Sequence, residues 1–207
     1  MSDSDVKRIA ARADLCRLLA ACYYQPGPEF AEERVFDSML AAAAELDADL
    51  ASLAQALGIA FDAQPLDELQ VDYTRLFLNP TGPLAAPYES AWLAGRDPML
   101  VEEITQSVLA SYRSGGYEVD ADFKDLPDHI AAELEFLYTL IFREARAAAS
   151  GDDERRLKAI RLQRRFIEQH LGRWIGPFAA ALRDGGETAL YRALADLTER
   201  FVRSEAG

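Results

Sequence analysis

Along almost the whole chain, apolar residues recur every three or four positions, and most such runs stop at glycine, proline or aspartate. That spacing lays a stripe down one side of an α-helix, whereas a half-buried strand needs strict alternation. Ile9, Ala13, Cys16, Ala20 and Tyr23 make the first stripe, with Ser4 or Asp5 as its cap and Gln25-Pro26-Gly27-Pro28 as its end. A second helix is expected from Pro28 to Ala44, and a third from Asp47 to Leu57 with Gly58 as its stop. Leu66, Leu69, Tyr73, Leu76 and Phe77 form another stripe, broken by Asn79-Pro80-Thr81-Gly82-Pro83, and a further helix spans 99–112. Asp125 is expected to cap a long helix whose core face is Ile130, Leu134, Leu137 and Ile141. Gly151-Asp152-Asp153 separates it from a basic helix ending at His170. Trp174, Phe178 and Leu182 mark the next helix, and Leu190, Leu194, Leu197 and Phe201 the last. No segment alternates long enough to argue a strand, and the abundance of alanine favours helix. The expectation is an all-α helical bundle of about nine to ten helices.

Two stretches interrupt this pattern. Residues 79–98 hold four prolines around an apolar centre of Leu84, Pro87, Tyr88 and Trp92, so they are expected to pack against something. Ser114-Gly115-Gly116 and the charged run to Lys124 read as a hinge. The expected division is a helical half over 1–113, a hinge over 114–124 and a second half over 125–207. Such a hinge suits a monomer or a domain-swapped dimer.

The chain has 22 basic and 35 acidic side chains, a net charge of −13, which argues against a nucleic-acid partner. The acids concentrate early: residues 29–75 carry eleven acids and two bases, whereas residues 143–173 carry nine bases and five acids. Cys16 and Cys22 lie six apart, roughly 600° around a helix, so they neither pair nor chelate and read as buried small hydrophobes in a reducing compartment. No apolar run is long enough to cross a bilayer, and Met1 to Arg12 does not read as a signal sequence. A cytoplasmic protein without stable membrane insertion is expected.

The residues that catalysis requires are scarce. The chain has two histidines and neither a GxGxxG nor a GxxxxGK[ST] loop. His129 and Glu133 stand one helical turn apart, but no second pair completes a metal site, and nothing marks Ser90 as a nucleophile. No enzyme activity, metal or cofactor is expected. Peptide recognition fits the remaining residues better. Leu76 and Phe77 are either core or the floor of a groove, and Tyr73 is expected to reach the surface with its hydroxyl. Pro87-Tyr88-Glu89-Ser90 offers a rigid aromatic ring beside a carboxylate. In Leu126-Pro127-Asp128-His129, a helix start explains Pro127 and Asp128 but not His129.

Five motifs in order resemble the TorD/DmsD family of redox-enzyme maturation chaperones, together with the related nitrate-reductase delta-subunit-like chaperones. They are Tyr73-x-x-Leu76-Phe77, Pro87-Tyr-Glu-Ser90, Leu126-Pro-Asp-His-Ile-x-x-Glu133-Leu134-Glu-Phe136, Phe166-x-x-x-His170-x-x-x-Trp174 and Tyr191-x-x-Leu194-x-x-Leu197-x-x-x-Phe201. The resemblance implies a non-enzymatic, cytosolic, all-helical chaperone. It would bind the leader, often a twin-arginine signal, of the catalytic subunit of a molybdopterin oxidoreductase and hold that subunit until its cofactor is inserted. It also implies a peptide-binding set of Tyr73, Leu76, Phe77, Tyr88, Glu89, Asp128 and His129, with Pro87, Ser90, Trp92 and Glu133 beside it. Glu89 and Asp128 would pair with leader arginines. Replacing Asp128 and His129 by alanine is then expected to weaken leader binding with melting almost unchanged. An assembly factor that grips a non-exported subunit without reading a leader is the alternative. Either reading requires Tyr88 and His129 to lie together.

Overall fold

The computed structural model describes residues 2–79, 81–118 and 125–207. Eleven α-helices and one π-helical turn make up its regular structure, and among the described residues the sole β-type pairing is an isolated bridge. The helices are α1 (Asp3–Ala21), α2 (Glu29–Glu32), α3 (Val35–Ala44), α4 (Ala48–Asp62), α5 (Leu66–Tyr73), α6 (Glu89–Leu93), α7 (Pro98–Gly115), α8 (Ile130–Ser150), α9 (Asp153–Gln169), α10 (Leu171–Gly185) and α11 (Ala189–Glu205). The π-turn Thr74–Leu78 continues α5. Helix α1 packs along α8 and α3, α4 packs on α3 and α11, and α10 packs on α9 and α11. No helix among the described residues is long and apolar enough to cross a membrane.

Several boundaries differ from the sequence reading, each for a local reason. Ser2, not Ser4 or Asp5, caps α1: its Oγ accepts the Asp5 N–H (3.1 Å) while Asp5 Oδ2 accepts the Ser2 N–H (2.8 Å). The expected helix from Pro28 to Ala44 is two helices, because Arg34 adopts a left-handed backbone (φ 52°). A straight helix would hold Phe30 and Phe36 about 120° apart around its axis; the break brings their rings to 6.1 Å and sets Phe36 against Phe61 at 4.6 Å. Gly58 does not stop α4. It lies inside the helix, where a Cβ would sit 3.3 Å from that of Phe36, so glycine serves close approach of α3 and α4.

The long irregular stretch contains α6, the eleventh helix and the one the periodicity missed; its five residues are too few to show a period. Part of the expected hinge, residues 119–124, lies outside the described residues, as does Pro80. Of the rest, Ser114 and Gly115 end α7, and Gly116 caps it with φ 61°. Cys16 and Cys22 are buried and unpaired, and Cys16 Sγ–H donates to the Leu134 carbonyl at 3.2 Å across the α1–α8 contact.

Buried polar clusters tie distant elements. Asp72 in α5 accepts the Thr188 N–H and hydroxyl, both at 2.8 Å, so it caps α11 from outside, where Thr188 makes no side-chain cap of its own. Arg12 in α1 joins Glu205 in α11, Glu144 in α8 (3.2 Å) and Gln163 in α9 (3.0 Å).

Candidate functional site

The Pro87–Ser90 loop and the Leu126–His129 turn are stitched together by their backbones. The Glu89 N–H donates to the Asp128 carbonyl (2.9 Å) and the Ile130 N–H to the Pro87 carbonyl (2.8 Å), which pairs Tyr88 with His129 in the isolated bridge. Their rings meet edge to face with centroids 5.3 Å apart. The two motifs that the sequence separates by some forty residues thus form one junction.

Most of its polar groups face inward. Asp128 is fully buried, and its Oδ2 accepts the Ser90 N–H (2.9 Å) at the first turn of α6. His129 is the N-cap of α8: its Nδ1 accepts the Ala131 N–H at 3.1 Å, the place expected for Asp125. A cap acceptor must be unprotonated at that nitrogen. Burial pushes the His129 pKa down to about 4, although Asp125 and Asp128 pull it upward, so the ring is neutral near pH 7.

Glu89 is also buried, with Oε2 2.9 Å from His170 Nδ1; the far nitrogen of that ring, Nε2, stands 3.1 Å from Ser111 Oγ. The helix predicted to run to His170 does so, but its geometry breaks there (φ −127°, ψ −101°), and α10 starts at the next residue. Glu133 is fully buried; its Oε2 accepts the Trp174 Nε1–H at 3.3 Å, and burial, then the neighbouring Glu89 charge, raise its pKa well above the usual carboxylate range. Ser111, His170 and Glu89 follow the order of a hydrolase relay. However, Ser111 sits within α7, where amide groups are spent on helix bonds and offer no oxyanion pocket. No group of three His, Cys, Asp or Glu side chains among the described residues could hold a metal ion.

The aromatic residues divide between core and surface. Leu76 and Phe77 are core, with Phe77 packed on Tyr73 (5.0 Å) and Tyr191 (5.7 Å). Tyr73, expected to reach outward, is buried as well, and its hydroxyl donates to the Tyr23 carbonyl at 3.4 Å. Trp92 is half-buried and donates to the Ala86 carbonyl (2.8 Å), which ties it to the loop, and Pro87 is buried.

Of what faces outward, the sequence singled out Tyr88 and the Leu126 turn but not the groups around them. Tyr88 donates to Asp125 Oδ1 (2.8 Å), while Tyr24 and Tyr117 donate to the two oxygens of Glu135 (2.8 and 3.2 Å). Asp125 and Leu126 are exposed, and Tyr24 is 37% exposed. Behind burial, the Asp125 charge is among the causes that raise the Tyr24 and Tyr88 phenols, so this carboxylate lies within electrostatic reach of both. Asp125 was read as a helix cap, and the partnership of Tyr24 with Glu135 spans 111 residues that no local pattern connects.

The arrangement is a helical junction that presents tyrosine rings and two carboxylates on its outside, while inside it Asp128 Oδ1 and Glu133 Oε1 are buried without a hydrogen-bond partner among the described residues. The family profile of the nitrate reductase delta subunit matches residues 40–180, and the chain belongs to that family. It is 30% identical over 177 residues to the Chaperone protein TorD of Shewanella pealeana, covering 83% of this chain and 74% of that one. The TorD of Shewanella loihica is 29% identical over 203 residues, 93% of this chain and 90% of its own. The perchlorate reductase assembly chaperone protein of Dechloromonas aromatica is 34% identical over 137 residues, 63% of this chain and 58% of its own. The protein is a maturation chaperone of the TorD and delta-subunit kind, and not an enzyme.

Proposed function

We propose that this chaperone binds the N-terminal, twin-arginine-type leader of a molybdopterin oxidoreductase catalytic subunit and holds that subunit in the cytoplasm while its cofactor is inserted. The observation that carries this reading is the face formed by Tyr24, Tyr88, Tyr117, Asp125 and Glu135. Guanidinium groups pair with carboxylates through two parallel hydrogen bonds and stack on aromatic rings, so this face suits an arginine-containing peptide. Leu126, 47% exposed, offers an apolar contact beside it.

The burial of Glu89 and Asp128 changes the roles expected of them. Neither carboxylate reaches the surface, so they position the Tyr88 loop and leave arginine pairing to Asp125 and Glu135. Ser90, His129 and Glu133 support the same junction from inside, whereas Tyr73, Leu76 and Phe77 belong to the core.

Calorimetric titration with a synthetic twin-arginine leader peptide, and with the same peptide carrying two lysines, tests leader recognition. Binding of the arginine form, weakened at least about tenfold by lysine, supports it, since lysine is a point charge without the planar fork. Binding of a whole catalytic subunit but of neither peptide would instead favour an assembly factor that reads no leader.

A further inference from the structure

On α8 and α9, away from the junction, a cavity of about 790 Å³ opens and ends against the last turn of α7. Leu140, Ala147 and Leu162 lie along its floor, with Arg143 and Arg146 on the α8 side and Arg155 and Lys158 on the α9 side. Arg113 stands at the α7 end. Among the described residues no carboxylate lines this trough, although the chain as a whole carries a net charge of −13. Arg155 pairs with Asp152 at 3.3 Å, and Arg143 donates to the Gly115 and Gly116 carbonyls. Arg113, Arg146 and Lys158 have no ion-pair partner among the described residues.

The charges are spread along the trough, not gathered at one point. Arg143 and Arg146 are three residues apart on one helix, as are Arg155 and Lys158 on the other, about 4.5 Å of axial rise in each case. The floor between them is apolar over about two turns, with Leu162 partly exposed and Leu140, Ala147 and Ala159 closely shielded beneath it. We propose that the trough docks an acidic amphipathic helix of a protein partner, its apolar stripe on the floor and its carboxylates against both cationic edges. This is the helix-in-groove arrangement with flanking charges that set partner and orientation. A compact polyphosphate fits less well. It needs cations and N–H donors converging on it, and the backbone at the end wall presents the Gly115 and Gly116 carbonyls instead. The trough shares no lining residue with the tyrosine face, although Gly116 at its end wall precedes Tyr117 on that face, and the proposal does not depend on leader recognition.

The test is fluorescence anisotropy on the full chain with a labelled helix-forming peptide of about fifteen residues, leucines at helical spacing and glutamates on both flanks. A matching peptide with lysine for glutamate is the control. The acidic peptide should bind and the basic one should not. Arg146→Glu with Lys158→Glu should weaken binding more than about tenfold, by setting like charges against the peptide. Arg164→Glu with Arg165→Glu, an equal charge change on exposed residues of α9 outside the trough, should leave binding within about twofold. Circular dichroism should show both double variants folded. Equal loss in the two variants, no loss in either, or binding of inorganic tripolyphosphate without binding of the acidic peptide would each overturn the proposal. So would sedimentation showing that the trough joins two copies of this chain.

Discussion

Glu89 and His170 are separated by 81 residues, yet Glu89 Oε2 and His170 Nδ1 lie 2.9 Å apart in the interior, where both side chains are almost fully shielded from water. The pair fastens α6, and with it the Tyr88 loop, to the junction of α9 and α10. Removing one partner strands a buried polar group, which costs about 1–3 kcal/mol. His170→Leu should therefore lower stability by that amount in urea unfolding. A double-mutant cycle with Glu89→Gln should show coupling, because the second substitution has little left to remove. Independent, additive losses would mean the contact carries no energy.

His129 gives the protein an acid-sensitive point. Its pKa falls from the ordinary 6.5 to about 4 in the fold, so its contribution to stability is complete above pH 6.5 and is lost as pH falls through 4. Glu133 acts in the opposite sense: its raised pKa favours the fold below the ordinary 4.5, and that contribution fades as pH rises through the folded value. His129→Asn keeps a capping oxygen and cannot gain a proton. Thermal melting from pH 7 to pH 4 should show the wild type losing more stability on acidification than this variant does. Parallel pH profiles would show that His129 is not held neutral by burial.

Asp128→Ala with His129→Ala bears on the largest disagreement between sequence and structure. As surface contacts these residues are dispensable to the fold. As a buried carboxylate on the Ser90 N–H and an N-cap on α8, they are not. Loss of the cap costs about 0.5–2 kcal/mol and loss of the carboxylate bond about 1–3 kcal/mol. Melting should drop by several degrees. An unchanged melting temperature would return both residues to the surface role first expected of them.

Arg12 is expected to be the most sensitive cation in the molecule. Glu144 and Glu205, whose side chains are 6% and 5% exposed, share it. Arg12→Met leaves both carboxylates buried without their counter-charge, a loss of about 3–5 kcal/mol. Chemical denaturation measures it, and a change below about 1 kcal/mol would mark the cluster as a solvated pair.

The helical class and most helix positions were legible because each buried face repeats with the helix period, as Ile130, Leu134, Leu137 and Ile141 do on α8. The Arg34 break was not, since only glycine or asparagine normally announces a left-handed residue. At the site, the motifs brought Tyr88 and His129 to notice, but no local pattern states whether a carboxylate points in or out. Glu89 and Asp128 look like surface acids in a polar loop, and their burial is fixed by partners far along the chain, His170 and Ser90. Tyr24, Tyr117 and Glu135 went unnoticed for the same reason: their association exists only in the folded chain.

The most direct measurement is calorimetric titration of a twin-arginine leader peptide into the wild type and into Asp125→Asn with Glu135→Gln. Hydrogen bonds to charged groups contribute about 1.5–3 kcal/mol each, so affinity should fall at least about tenfold, with melting shifted only slightly because both groups face solvent at least in part. Undiminished affinity in the double variant would contradict arginine capture by the outward carboxylates.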